Sequence, residues 1–213
     1  MKTILKRNVS FVTALLLVLL CFTGCGMKPD DAKAYVQSTL DAGYKASFDE
    51  YVKITESTKE EAQKLFDNNI DTVTNSLGFS ALGATEETNE KYRELLKEIF
   101  AKAKYTVGEV KEKDGGFEVE VSAEPMEIFV GVEDELVAKL QDEVTKSGGD
   151  IKEDEINQLA IDMMYDLLTE KLASVTYGEP QSVTVHVTKN SDGVWNITES
   201  DLQAVDAALF SIP

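Results

Sequence analysis

The stretch YTVGEVKEKDGGFEVEVSAEP, residues 105–125, decides the fold class of this 213-residue chain. After the glycine-containing segment Asp114-Gly115-Gly116, apolar side chains alternate with polar ones. Phe117, Val119 and Val121 therefore share one face of a strand, while Glu118, Glu120 and Ser122 share the other. Two such strands joined by a turn that tolerates positive φ are typical of a β-hairpin. The sequence thus predicts a hairpin with one apolar and one polar face.

A second hairpin is predicted near the carboxyl terminus. Val183, Val185 and Val187 alternate with polar residues, and the opposite face carries Ser182, Thr184, His186 and Thr188. Asn190-Ser191-Asp192-Gly193 forms the predicted turn, and residues 194–197 form the predicted return strand.

Outside the two hairpins the apolar period changes from 2 to about 3.6 residues, which is typical of amphipathic helices. Four helices are predicted before the first hairpin, two between the hairpins and one after the second. Ser57 and Thr58, followed by Glu60 and Glu61, offer overlapping capping boxes at one helix start. We therefore predict an α+β fold, with several helices packed on one face of a small antiparallel sheet built from two β-hairpins.

The amino terminus has the pattern of an export signal. Lys2, Lys6 and Arg7 precede an apolar run over residues 11–22, which is shorter than the ~20 residues that span a bilayer. The run ends in Phe22-Thr23-Gly24-Cys25, which resembles the lipobox of bacterial lipoproteins, although Phe22 replaces the usual Leu. An ordinary secretory signal is the alternative.

The lipobox resemblance implies a diacylglyceryl group on Cys25 and cleavage just before it. Residues 1–24 are then a signal peptide, residues 25–28 a lipidated tether and residues 29–213 a single extracytoplasmic domain. Cys21 leaves with the signal and Cys25 becomes a thioether, so no free thiol remains for catalysis, disulfides or metal binding. The predicted location is the cell membrane, lipid-anchored, on its extracytoplasmic face.

The composition of the mature chain is strongly acidic. Loss of the signal leaves 18 of the 21 basic residues against 39 acidic ones, a net charge of −21 over 189 residues. Such a chain is repelled by DNA and RNA, so we expect no nucleic-acid partner. Many acidic residues also lie at predicted helix starts, where they complement helix dipoles.

The order of elements and the ending Asp192-Gly193-Val194-Trp195 resemble the uncharacterised cell-surface lipoproteins of Gram-positive bacteria. Those proteins combine a lipobox, helices and short strand pairs that end in a DG-x-W turn. More loosely, the chain is similar to nuclear-transport-factor-2-like and cystatin-like α+β domains. Such folds host both binding modules and enzymes, so the resemblance implies a location and a fold but no activity.

The polar face of the predicted sheet carries the candidate site. If the two hairpins are neighbours, His186, the sole histidine, and Thr184 share that face with Glu118 and Glu120. One imidazole and two carboxylates could bind a metal or transfer protons, whereas a solvated strand position is the simpler interpretation. A structural zinc site needs more nitrogen or sulfur ligands, so we expect no metal and no cofactor. Trp195, the sole tryptophan, is predicted to anchor the core, with an exposed ligand-binding role as its alternative.

The chain lacks the main phosphate-loop, dinucleotide, serine-hydrolase and penicillin-binding motifs. We therefore expect no catalytic residues and a non-enzymatic binding or adaptor domain. Its expected partners are the membrane, through the lipid on Cys25, and an envelope protein or peptide. Two alternatives stay open: a small-molecule or lipid carrier with a pocket between sheet and helices, and a carboxylate-dependent hydrolase.

Overall fold

The computed structural model describes residues 26–148 and 151–210. Cys25 and its predicted lipidation therefore lie outside the described residues. The elements follow the predicted order: α1 Pro29–Lys45, α2 Asp49–Thr55, α3 Lys59–Ser76, α4 Glu86–Ala101, β1 Lys104–Lys113, β2 Gly116–Glu124, α5 Val132–Lys146, α6 Glu153–Ala173, β3 Gln181–Lys189, β4 Trp195–Ile197 and α7 Glu199–Leu209.

The four strands form one antiparallel sheet in the order β1-β2-β3-β4, so the two hairpins are neighbours through β2 and β3. Helix α1 packs against β1 and β2, and α7 packs against β2 and β3. The α+β fold class predicted from the sequence is confirmed. Phe117, Val119 and Val185 point into the core beneath these helices, whereas Glu120 and Thr184 on the other face are exposed.

The first hairpin turn is tighter than predicted. Asp114 and Gly115 both have positive φ, 50° and 80°, as a two-residue type I′ turn requires. Gly116 is already the first residue of β2, and a Cβ added there would lie 2.7 Å from the backbone oxygen of Val187. Glycine is needed at position 116 because the neighbouring strand approaches closely.

Strand β1 departs from strict alternation. The pairing passes from Val107↔Val121 to Val110↔Val119, so β1 has one extra residue at a bulge over 108–109. Uninterrupted alternation would have turned Glu109 toward the core. The bulge leaves Glu109 exposed and brings partly buried Val110 against the core instead.

Two short 3-10 helices, Phe79–Leu82 and Glu127–Phe129, lie between the longer elements. Phe79 is buried because its ring packs 4.4 Å, centroid to centroid, from Tyr92 of α4. Tyr92 in turn donates a 2.6 Å hydrogen bond to the backbone oxygen of Ile161, which joins α4 to α6. This contact seats α6 on the main core.

Helix capping follows the sequence at α3. Thr58 accepts a hydrogen bond from the Glu61 N–H, and the Glu61 carboxylate accepts from the Thr58 N–H.

Helices α5 and α6 pack against each other over a second, smaller apolar cluster of Leu136, Leu140 and Leu167. None of the described helices combines the length and apolar character that crossing a bilayer requires.

Candidate functional site

The candidate site lies on the polar face of the sheet, where the pairing of β2 with β3 assembles the predicted residues. Glu118 pairs with His186, and Glu120 pairs with Thr184, so all four predicted side chains stand on two adjacent strands. The described helices that contact the sheet pack on its apolar face, so Glu120 and Thr184 are exposed and Glu118 and His186 are partly exposed.

His186 is held by a residue that the sequence analysis missed, Asp201. The carboxylate of Asp201, in the first turn of α7, accepts from the His186 backbone N–H at 2.8 Å. The same oxygen lies 3.0 Å from Nδ1 of the imidazole. A carboxylate partner at Nδ1 fixes the proton on that nitrogen and the orientation of the ring.

The backbone geometry explains why Asp201 reaches His186. Strand β4 pairs only with Val187–Lys189, so the outer edge of β3 loses its neighbouring strand at His186. The chain turns instead into α7, whose start is capped by the Thr198 hydroxyl. Asp201 then takes the hydrogen bond that a longer β4 would have accepted, and it ends the ladder at that point.

The other imidazole nitrogen faces Glu118. His186 Nε2 lies 3.8 Å from Glu118 Oε1, and the same oxygen accepts a 2.5 Å hydrogen bond from Lys113. The bond from Lys113 holds the pKa of Glu118 below its ordinary value, so this carboxylate is ionised at neutral pH. His186 therefore stands between two carboxylates, with Nε2 directed toward the more open one.

A shallow groove of about 250 Å³ opens beside this pair, lined by Lys113, Asp114, Phe117, Glu118, His186 and Thr188. Further along the face, the Ser182 hydroxyl donates a 2.8 Å hydrogen bond to Glu120. The surface thus combines carboxylates, hydroxyls and an oriented imidazole, which suits a partner rich in hydrogen-bond donors or positive charge.

The structure gives no support to a metal centre in residues 26–148 and 151–210, where no three His, Cys, Asp or Glu side chains converge in a metal-binding arrangement.

Trp195 is buried, as predicted for a core anchor, and its ring lies 5.4 Å from that of Phe117. The loop before it is a hairpin turn in which Asn190 Oδ1 accepts from the N–H groups of Asp192 and Val194.

A second aspartate of α7 was also missed. Asp206 is buried in the core, where its Oδ1 accepts a 2.5 Å hydrogen bond from the hydroxyl of Tyr44. Burial raises the pKa of Asp206 to about 8, and the bond from Tyr44 opposes this shift. Its position among Leu202, Val205 and Leu209 on one helix face was a sequence signal for a buried acid.

The sequence signal for the position of Asp201 was weaker than that for Asp206. Thr198, followed three residues later by an acidic residue, predicts a helix start. Nothing in that local pattern says that the carboxylate turns back to the preceding hairpin. The His186–Asp201 contact joins residues 15 positions apart and depends on where β4 ends.

Comparisons with known proteins show a shared fold. One similar crystal structure is that of "a putative lipoprotein (ycdA)" from Bacillus subtilis, with 17% sequence identity and a TM-score of 0.57. The match covers 85% of this chain and 56% of that one, so this chain spans little more than half the length of its neighbour. No protein-family model matches the chain. No curated protein sequence matches it significantly either.

Proposed function

We propose that the protein is a lipid-anchored extracytoplasmic domain that binds a partner through the open polar face of its sheet, without catalysis. The lipobox at Cys25 supports the anchor, and the fold shared with the Bacillus subtilis protein is consistent with it. The proposal includes a relation to the uncharacterised cell-surface lipoproteins of Gram-positive bacteria. It also includes a similarity of the α+β domain to nuclear-transport-factor-2-like and cystatin-like domains.

The observation that carries the binding role is the fixed His186 on an uncovered face. Asp201 holds the ring at 3.0 Å although the imidazole is 45% exposed, which is more order than a solvated strand position needs. Ionised Glu118 lies beside it, and exposed Glu120, Thr184 and Ser182 continue the same face along the strands. A peptide segment of an envelope protein, carrying Lys, Arg or amide donors, has the chemistry to bind such a surface.

The packing between sheet and helices does not favour a carrier. The ring of Tyr44 lies 6.2 Å from that of Phe100 and 5.8 Å from that of Phe210, and Phe100 lies 5.2 Å from Phe210. These buried aromatic side chains occupy part of the space in which a carrier would hold its ligand. A binding face on the outside of the sheet does not need that space.

A carboxylate-dependent hydrolase needs two acidic groups in a cleft, one with a raised pKa. The pKa of Glu118 is lowered, and the raised pKa of Asp206 belongs to a side chain buried in the core beside Tyr44. These carboxylates lie on opposite faces of the sheet. The geometry therefore favours binding over hydrolysis.

Site-specific crosslinking in the native membrane tests the proposal. A photo-reactive residue at exposed Thr184 should trap one discrete partner, whereas the same residue at exposed Thr72 of α3 should not. The double substitution Glu118→Gln and Glu120→Gln should reduce the yield from position 184 severalfold. Equal products from both positions, or none from position 184, would contradict a binding role for this face. The mass of the extracted protein should include a diacylglyceryl group on Cys25.

A further inference from the structure

The amino-terminal segment leaves the domain at one defined end. Met27 is buried, 7% exposed, and lies with Phe117 and Trp195 around a surface cavity of about 430 Å³. Gly115 of the first hairpin turn and Gly116, the first residue of β2, line the same cavity. The preceding Gly26 is exposed. We call this end of the sheet, with the hairpin turns at 114–115 and 190–193, the turn end.

The sequence allows very little chain between the turn end and the predicted anchor. Only Gly26 stands between Met27 and Cys25, and two extended residues reach about 7 Å. Because Met27 is seated in the core, the tether cannot lengthen without unpacking it from its neighbours. A lipid on Cys25 would therefore hold the bilayer surface against the turn end.

Helix α1 runs from the turn end toward the opposite end of the sheet. It begins at Pro29 beside the turn end, and Lys45 in its last turn lies over the ring of Tyr105, near the start of β1. A helix of 17 residues is about 25 Å long. The segment after α1, which includes exposed Ser47, is therefore separated from the turn end by roughly that length.

The charges of the turn end also suit a membrane surface better than the rest of the chain does. Around the two turns and the adjoining start of α1, four basic residues, Lys28, Lys111, Lys113 and Lys189, stand beside six acidic ones, Asp30, Asp31, Glu112, Asp114, Glu118 and Asp192. The mature chain as a whole carries 39 acidic residues against 18 basic ones, and its excess negative charge is repelled by anionic lipid. The turn end is thus less acidic than the chain as a whole.

We infer that the lipidated protein stands on the bilayer with its turn end against the headgroups and its strands directed away from the surface. The inference rests on the proposed lipid anchor and adds an orientation to it. Its consequence is that the groove beside His186 lies close to the membrane, because Thr188 and Phe117, which line it, are within a few residues of the turns. A partner in that groove would be met at the membrane surface.

Two serine-to-cysteine variants test this orientation. Ser191 in the second turn and Ser47 after α1 are both exposed, and the lipidated mature chain has no other thiol. Each variant, purified with its lipid, carries one small fluorophore and is reconstituted into phosphatidylcholine–phosphatidylglycerol vesicles that contain a headgroup spin-labelled lipid. We expect quenching at position 191 to exceed that at position 47 several-fold.

The outcomes separate the orientation from the anchor. Equal quenching at both positions, or stronger quenching at position 47, in protein that carries the lipid and floats with the vesicles would overturn the orientation alone. Protein whose mass lacks the lipid on Cys25 would overturn the anchor and the orientation with it. Vesicles without the spin-labelled lipid give the reference intensity, and Trp195 emission reports whether both variants keep the fold.

Discussion

Helix α7 contributes one aspartate to each side of the sheet, and the two side chains lie in opposite environments. Helix α7 places Asp206 in the dry interior, bonded to Tyr44, and Asp201 at the sheet edge, bonded to His186 on the open face. The two aspartates are five positions apart in one helix. Their difference in environment follows from their places on the helix, because Asp206 shares the apolar face of α7 with Leu202 and Val205, whereas Asp201 lies in the first turn and reaches the edge of β3.

The carboxylates on the two faces show how burial and partners compete. Asp206 is 3% exposed, and desolvation outweighs its hydrogen bond, so the pKa rises to about 8. Glu118 is partly exposed beside Lys113, and the hydrogen bond from Lys113 lowers its pKa. One face thus holds a carboxyl group that is mostly neutral at pH 7, whereas the other presents an ionised carboxylate for recognition.

The contrast in packing gives the largest expected effect. Phe100 is fully buried between the rings of Tyr44 and Phe210, so Phe100→Ala should lower the free energy of unfolding by about 3–5 kcal/mol. Thr184→Ala on the open face should change it by less than about 0.5 kcal/mol. Urea unfolding followed by circular dichroism measures both variants. Similar losses would mean that the open face is packed as tightly as the core.

The buried acid makes stability depend on pH. The folded-state pKa of Asp206, about 8, lies above its unfolded value near 3.9, so the folded protein binds the proton more tightly. The contribution of Asp206 is therefore complete below about pH 4 and is lost as the pH rises toward 8. The free energy of unfolding, measured at several pH values across this window, should fall for this reason.

Asp206→Asn isolates that contribution. The amide keeps the size of the side chain and can still accept a hydrogen bond from Tyr44, but it does not titrate. The variant should lose the part of the pH dependence between 4 and 8 that the wild type shows, which a difference curve between the two proteins would reveal. Parallel curves would contradict a titrating Asp206.

The sequence predicted the structure correctly where a single local rule applied. Alternation placed Val119 and Glu120 on opposite faces, and the Thr58–Glu61 spacing placed the start of α3. It failed where distant segments decide the outcome. The bulge at 108–109 depends on keeping Glu109 out of the core, and the burial of Phe79 depends on a contact with Tyr92.

The candidate site also contains residues that a local pattern predicts and one residue that it does not. The strand pattern placed Glu118 with Glu120 and Thr184 with His186, because alternate residues of a strand share a face. The two pairs meet because β2 and β3 are neighbours, which the sequence left open. Asp201 could not be predicted, since its role arises from the early end of β4 and the return of the chain through α7. Tertiary geometry, not local pattern, supplies the residue that orients the imidazole.

An intermediate effect is expected where α7 meets the edge of β3. Asp201→Ala removes the acceptor of the His186 N–H, so exchange of this amide should accelerate about fivefold, equivalent to about 1 kcal/mol. Glu199→Ala in the same helical turn is the matched control, because its carboxylate bonds Gln203 and not His186. Amide hydrogen exchange by NMR compares the two. Equal acceleration would show that fraying of α7, and not the lost bond, exposes the amide.

The smallest effect on stability is expected at Glu118, and it separates folding from recognition most sharply. Glu118→Gln removes the charge that Lys113 and His186 face, but exposed ion pairs contribute little to stability, so the urea midpoint should not move. The same substitution should weaken partner capture from position 184, because it removes a charged acceptor from the face. Glu109→Gln, an exposed change on β1 outside the groove, should leave both unchanged. If Glu118→Gln lowered the urea midpoint, the carboxylate would contribute to the stability of the sheet, and this result would contradict a role in binding alone.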